Sequence, residues 1–172
     1  MAIVVEDGSV VIGANSYVSM EDANNYFTLR NNSEWNQLED AQKVAFIIAA
    51  MDYIEIRYGR RFIGCPQDEG QPLSWPRKDT GLTELIPSNL KKAVFEYALI
   101  AKDGLLAPNP KYDESGFPLI TRREKVGPLE TEYRHATLTD GYQNNDWRSY
   151  PLADGLIEPL LNCGYSGRVI RN

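Results

Sequence analysis

Apolar residues recur at three- and four-residue intervals along two long stretches of the chain and alternate with polar ones along a third. Val44, Ile47, Ile48, Met51, Ile54 and Tyr58 predict a long helix over about 39–58, with this stripe buried. Gly59 stands where a C-cap is expected, with Arg57, Arg60 and Arg61 near the negative end of the helix dipole. Leu90, Val94, Tyr97, Ala101 and Leu105 predict a second helix from Pro87 to Leu106. Two shorter helices join them. Ser19 and Asp22 resemble a capping box, with Asp in place of Glu or Gln, and Ala23, Tyr26, Phe27 and Arg30 follow at helical spacing. Residues 150–161 predict a short C-terminal helix, and a single turn is expected around Trp35.

The third stretch, residues 119–136, reads as extended chain. Two alternating segments flank Gly127-Pro128 and predict a β-hairpin or two long arms. One segment is basic (Arg122, Arg123, Lys125) and the other acidic (Glu130, Glu132), so opposite charges would face each other across the strands. Large apolar side chains are few there, and a two-stranded hairpin of that kind needs a partner. Segments 3–5 and 10–12 flank an Asp-Gly turn, giving a small hairpin or an extended arm. Residues 62–86 are irregular and rich in Pro and Gly, and Trp75 lies next to Pro76. A Trp so placed cannot sit within a helix and is expected to pin the loop to the core. Residues 137–149 read as a polar loop, and 162–172 as a tail ending Arg168-Val-Ile-Arg171. The expectation is one mainly α domain over 1–172. It is a small bundle of about four helices (17–106 and 150–161) with a hairpin at 119–135 and flexible N- and C-terminal arms.

The net charge of −6 disfavours a general nucleic-acid surface but leaves room for a local basic patch. No stretch reads as a targeting signal or reaches transmembrane length. Cys65 and Cys163 are too few and too far apart for a zinc site or a disulfide framework, and are expected as reduced packing thiols. The single histidine, His135, reads as structural rather than as a general base. Neither Gly-Lys-Ser/Thr nor Gly-x-Gly-x-x-Gly occurs. The carboxylate pairs are adjacent in sequence, and residues 140–146 resemble a calcium loop in composition only. No catalytic, metal-binding or cofactor-binding residue is therefore expected, and no enzyme. Ten Tyr, three Trp and five Phe could stack single-stranded bases if Arg57, Arg60, Arg61, Lys91, Lys92 and the run 122–125 formed a groove. Helix-end charges and a solvated strand are the favoured reading of those cations.

An ordered set of motifs carries a resemblance. It comprises Ala14-Asn-Ser-Tyr-Val-Ser19, Asp22-Ala-x-x-Tyr-Phe27, Trp35, Asp52-Tyr-Ile54 and Leu73-Ser-Trp-Pro-Arg77. It continues with Ile86-Pro87, Arg123-Glu-Lys-Val-Gly-Pro-Leu-Glu130 with Tyr133, Tyr150-Pro151 and Leu160-Leu161. This order resembles the tailed-phage neck proteins often labelled DnaT-like single-stranded DNA-binding, which are similar to head–tail connector adaptors. The resemblance implies a structural virion protein assembled in the host cytoplasm. Such a protein forms a twelve-fold homo-oligomeric ring beneath the portal protein and docks the next neck or tail-completion protein. Phage double-stranded DNA would pass through its channel without sequence-specific binding, and no membrane is involved. A head-to-tail contact that closes on itself gives such a ring. The family label leaves single-stranded DNA binding as the alternative. Carried onto this chain, Trp75, Pro76 and Arg77 would brace the inter-helix loop. Arg122, Arg123, Lys125, Glu130, Glu132 and Tyr133 would form a subunit or tail interface. Tyr165, Arg168, Val169, Ile170 and Arg171 would form a portal-binding arm.

Overall fold

The computed structural model describes residues 2–107, 119–125, 130–135 and 147–162. The chain divides into two compact units, one of residues 1–106 with 149–172 and one of residues 107–148. The fold is mainly α, with five α-helices and two two-stranded antiparallel pairs among the described residues.

Helix α1 (Met20–Thr28) starts at a reciprocal box: the Asp22 amide donates to Ser19 Oγ at 3.0 Å, and the Ser19 amide donates to Asp22 Oδ2 at 3.1 Å. Asn32 caps the one-turn helix α2 (Ser33–Asn36) by accepting from the Trp35 amide at 3.0 Å. Trp35 is fully buried, its ring 4.5 Å from that of Phe27 and its indole N–H donating to Asn24 Oδ1 at 3.1 Å. These contacts lock α2 onto α1.

Helix α3 (Asp40–Tyr58) buries Ile47, Met51, Ile54 and Tyr58 as its periodicity predicts. Val44 and Ile48 are only half-buried, and Lys43 is buried instead, within 3.8 Å of Asp40. Gly59 ends the helix with φ −50°, in the ordinary right-handed region, so the left-handed cap expected there does not form. Crowding is the reason a glycine suits the position. An added Cβ would lie 2.5 Å from the Glu55 carbonyl oxygen and 2.7 Å from Ser74 Oγ.

After α3 the chain runs through β1 (Cys65–Pro66) and β2 (Arg77–Lys78), a two-residue antiparallel pair. Helix α4 (Ser88–Lys102) then buries Leu90, Val94 and Tyr97 against its neighbours. It stops at Lys102 rather than at Leu106, because Gly104 adopts φ 150°, a conformation that L side chains rarely reach. In consequence Leu105 is 72 % exposed and Leu106 packs inward. Helix α5 (Pro151–Ile157) and a 3₁₀ turn (Glu158–Leu160) complete this unit. The last described residues pair back onto the segment after α3: the Ile63 amide donates to the Leu160 carbonyl at 2.9 Å, and the Asn162 amide to the Arg61 carbonyl at 2.8 Å.

At the N-terminus a hairpin or extended arm is expected, but the chain winds round one carboxylate. Glu6 is fully buried, and its two oxygens accept from the amides of Gly8, Val10 and Val11 at 2.8–3.1 Å. A buried anion collects backbone donors when no cation is near. The turn is thus dictated by Glu6, and Asp-Gly only supplies the φ of 105° at Gly8.

In the second unit, β3 (Leu119–Lys125) and β4 (Glu130–His135) are antiparallel. Their register sets Arg123 opposite Glu132 and Lys125 opposite Glu130, with an irregularity between Leu119 and Thr121.

Candidate functional site

The helical unit contains two polar knots, and both hold loops in place. The first centres on Asp154 of α5. Its carboxylate accepts from the Tyr58 hydroxyl at 2.8 Å, the Tyr150 amide at 3.0 Å and the Arg57 guanidinium at 3.0 and 3.3 Å. The Tyr97 hydroxyl donates to the same oxygen as Tyr58. One carboxylate therefore ties α5 to α3 and α4. Burial pushes the Asp154 carboxyl up. Hydrogen bonds from Tyr97, Tyr150 and Tyr58 and the Arg57 charge more than offset it, so the group titrates below the ordinary carboxylate value. Burial and the same hydrogen bond push the Tyr97 hydroxyl far up, so it stays a donor.

Tyr150 makes this knot more than a helix clamp. Its ring stands edge-on to Tyr53 and Tyr97 at 6.0 Å, and its hydroxyl donates to the Leu106 carbonyl at 2.8 Å. Leu106 is where the chain leaves this unit, and residue 149 is where it returns. The exit and re-entry points are therefore stapled together within the helical unit. In sequence, segment 107–148 interrupts this unit between the two stapled points. Replacing residues 108–146 with a short Gly/Ser linker should leave a single cooperative unfolding transition. Calorimetry should place it within about 4 °C of the intact chain, equivalent to a change of 1–2 kcal/mol.

The second knot holds the loop between α3 and α4. The Arg77 guanidinium donates to the carbonyls of Ile63 (2.7 Å), Gly64 (2.7 Å), Ser74 (3.1 Å) and Phe62 (3.4 Å). Burial pushes its pKa down, yet it lies far above any working pH. Trp75 is fully buried with its ring 5.8 Å from Phe62, Pro76 is buried behind a cis Trp75–Pro76 bond, and the Trp75 amide donates to the Tyr17 hydroxyl at 3.1 Å. Glu55 gathers the Tyr17 hydroxyl and the Ser74 amide and hydroxyl. Trp75, Pro76 and Arg77 thus lie together in one loop anchor.

The other sequence-predicted residues fall elsewhere. Arg122, Arg123 and Lys125 lie on β3, and Glu130, Glu132 and Tyr133 on β4, with Tyr133 opposite Arg122. Tyr165, Arg168, Val169, Ile170 and Arg171 lie outside the described residues, as does Cys163. Cys65, expected as a packing thiol, is exposed. His135 ends β4 opposite Leu119. Asp154 and its tyrosines have no counterpart in the sequence reading. The signal available was an Asp within a short apolar helix, together with two tyrosines in otherwise aliphatic stripes, whose hydroxyls must find partners once buried.

Among the described residues no aromatic ring expected to stack bases is fully exposed. Every described ring is buried or half-buried, from Tyr17 and Trp35 to Trp75 and Tyr97. Arg57, one of its candidate cations, is engaged with Asp154. Among the described residues no group of three His, Cys, Asp or Glu is placed to hold a metal ion, and no helix is long and apolar enough to cross a membrane.

A family profile described as "putative DnaT-like ssDNA binding protein" matches residues 1–172. No curated protein and no solved structure matches the chain. With the profile spanning the whole chain, this protein belongs to the DnaT-like ssDNA binding protein family.

Proposed function

We propose that this chain is a structural assembly protein, a head-to-tail adaptor that forms a ring beneath the portal of a tailed phage. The observation that carries the reading is the stapled base: a helical unit closed by Tyr150 and Asp154 carries 107–148 as a separate insertion. The helical unit is occupied with its own packing, since its rings and its Arg77 cation are consumed internally. Arg122, Arg123, Lys125, Glu130, Glu132 and Tyr133 would meet a neighbouring subunit or the next neck protein. Tyr165, Arg168, Val169, Ile170 and Arg171 would reach the portal. A two-stranded hairpin is marginal alone, so a neighbour is the natural source of its stability.

The second reading, single-stranded DNA binding, is the one the family description names, and that comparison supports it where it does not speak for the adaptor. Its cations would come from Arg122, Arg123, Lys125 and Arg134 in the inserted segment. Two of these stand opposite glutamates, which lowers the field they offer a phosphate backbone.

One pair of assays separates the readings. The adaptor reading expects a ring of added density on the tail-facing end of cognate portal particles by electron microscopy. It also expects no oligonucleotide binding by fluorescence anisotropy at low salt. The DNA reading expects clean portals and salt-sensitive binding, losing affinity steeply as salt rises.

A further inference from the structure

Helix α3 is apolar on the side that faces away from the core as well as on the side that meets it. The fold accounts for its buried stripe of Ile47, Ala50, Met51, Ile54 and Tyr58. On the opposite side Ala41, Ala45, Ala49 and Ile56 are exposed, and Ile48 is half-buried. At about 3.6 residues per turn these positions form one stripe, with Asp52 its single charged member. A helix that is apolar on all sides is ordinarily covered on all sides. Ile56 is nevertheless 75 % exposed, so no described residue covers it.

We propose that this face is covered by the same face of a second copy, with the two α3 helices antiparallel about a two-fold axis between Ile48 and Ala49. Charge selects this occupant and this orientation. Glu39 and Asp40 are exposed at the start of the helix, and Arg60 and Arg61 are exposed just past its end. An antiparallel pair brings the acidic end of each copy to the arginines of the other. The helix dipoles then oppose as well, which favours the same orientation. A parallel pair would set Asp52 against Asp52 and Arg60 against Arg60. Size complementarity fixes the register. Each Ile56 then meets Ala41 of the second copy, and each Ile48 meets Ala49 of the second copy, a large side chain against a small one at every level. The alanines let the helix axes approach to about 8 Å. Asp52 faces Ala45 of the second copy, whose short side chain leaves the carboxylate access to water. A face that complements itself is what a two-fold contact requires. Such a pair closes on itself and so describes the chain away from the portal. The inference does not depend on the adaptor reading, which places its subunit contacts on the inserted segment.

The test is analytical ultracentrifugation of the full chain, with Ile56→Asp alongside. The mass should rise with concentration from 19.4 kDa to twice that value and no further. Half-association is expected at roughly 10 µM, the weak end that suits a contact one helix long. Ile56→Asp changes a mostly exposed position, so helicity by circular dichroism should be unchanged while the dissociation constant rises at least about tenfold. Orientation is read from single cysteines in a chain carrying Cys65→Ser and Cys163→Ser. Under mild oxidation Ala49→Cys, beside the axis, should cross-link to its copy. Ala41→Cys should not, since the register sets it roughly 22 Å from its copy. A chain that keeps the mass of 19.4 kDa up to about 100 µM overturns the proposal. So does an assembly of any size that Ile56→Asp leaves intact, and so does cross-linking at Ala41→Cys as fast as at Ala49→Cys.

Discussion

Asp154→Ala should lower the stability of the helical unit by about 3 kcal/mol. The substitution removes the acceptor shared by Tyr58, Tyr97, Arg57 and the Tyr150 amide. It leaves a guanidinium and two tyrosine hydroxyls without their shared acceptor. Breaking a buried pair from one side costs about 3–5 kcal/mol, and the half-buried position of Asp154 puts it at the low end of that range. Urea unfolding at neutral pH should show the loss as a lower midpoint with an unchanged slope. The pH dependence has a definite sign. The folded carboxyl titrates below the ordinary value, so its stabilisation is complete above the unfolded pKa of about 4 and fades as pH falls through the lowered folded value. The gap between the native chain and Asp154→Asn should therefore close below about pH 4. A gap that stays constant into acid would mean that the carboxylate charge does not hold the base.

Trp75 should separate volume from polarity in the second knot. Trp75→Ala empties a fully buried site against Phe62 and should cost about 3–5 kcal/mol. Trp75→Phe should cost less than about 1.5 kcal/mol. The reason lies in the indole Nε1, which is buried and finds no partner among the described residues. Folding desolvates that donor at a cost of about 1–3 kcal/mol, and phenylalanine has none to desolvate. The lost ring volume and the removed donor work in opposite directions. Equal losses for the two substitutions, read from urea midpoints, would mean that the donor is satisfied in solution.

The parts of the fold visible in the sequence are those governed by local rules. Ser19 with Asp22 marks the start of α1, and the stripe through Ile47, Met51, Ile54 and Tyr58 marks the buried face of α3. The register of β3 and β4 also sets Arg123 opposite Glu132 and Lys125 opposite Glu130, as their sequences suggest. Structure and sequence pattern part company where a buried polar group, crowding or a glycine backbone overrules local preference. The stretch around Glu6-Asp-Gly reads as a hairpin, yet Glu6 draws three amides onto itself. Gly59 reads as a left-handed cap, yet crowding by Ser74 is what the position has to accommodate. Leu105 continues the apolar period past the end of α4, whereas Gly104 breaks the backbone before it. The stapled base was hidden altogether, since it joins residues from four parts of the chain: Leu106, Tyr58, Tyr97 and the run from Tyr150 to Asp154. Periodicity reports faces, and no local pattern reports which distant tyrosine will meet which carboxylate.

The inserted segment is the part of the chain to which the adaptor reading assigns contact with a neighbouring subunit or the next neck protein, and so closure of the ring. The most direct measurement is electron microscopy of cognate portal particles mixed in parallel with the intact chain and with the chain lacking residues 108–146. The account predicts a ring on portals given the intact chain and bare portals given the shortened one. Rings with both proteins would contradict the role of the insertion, and bare portals with both would contradict the adaptor reading itself.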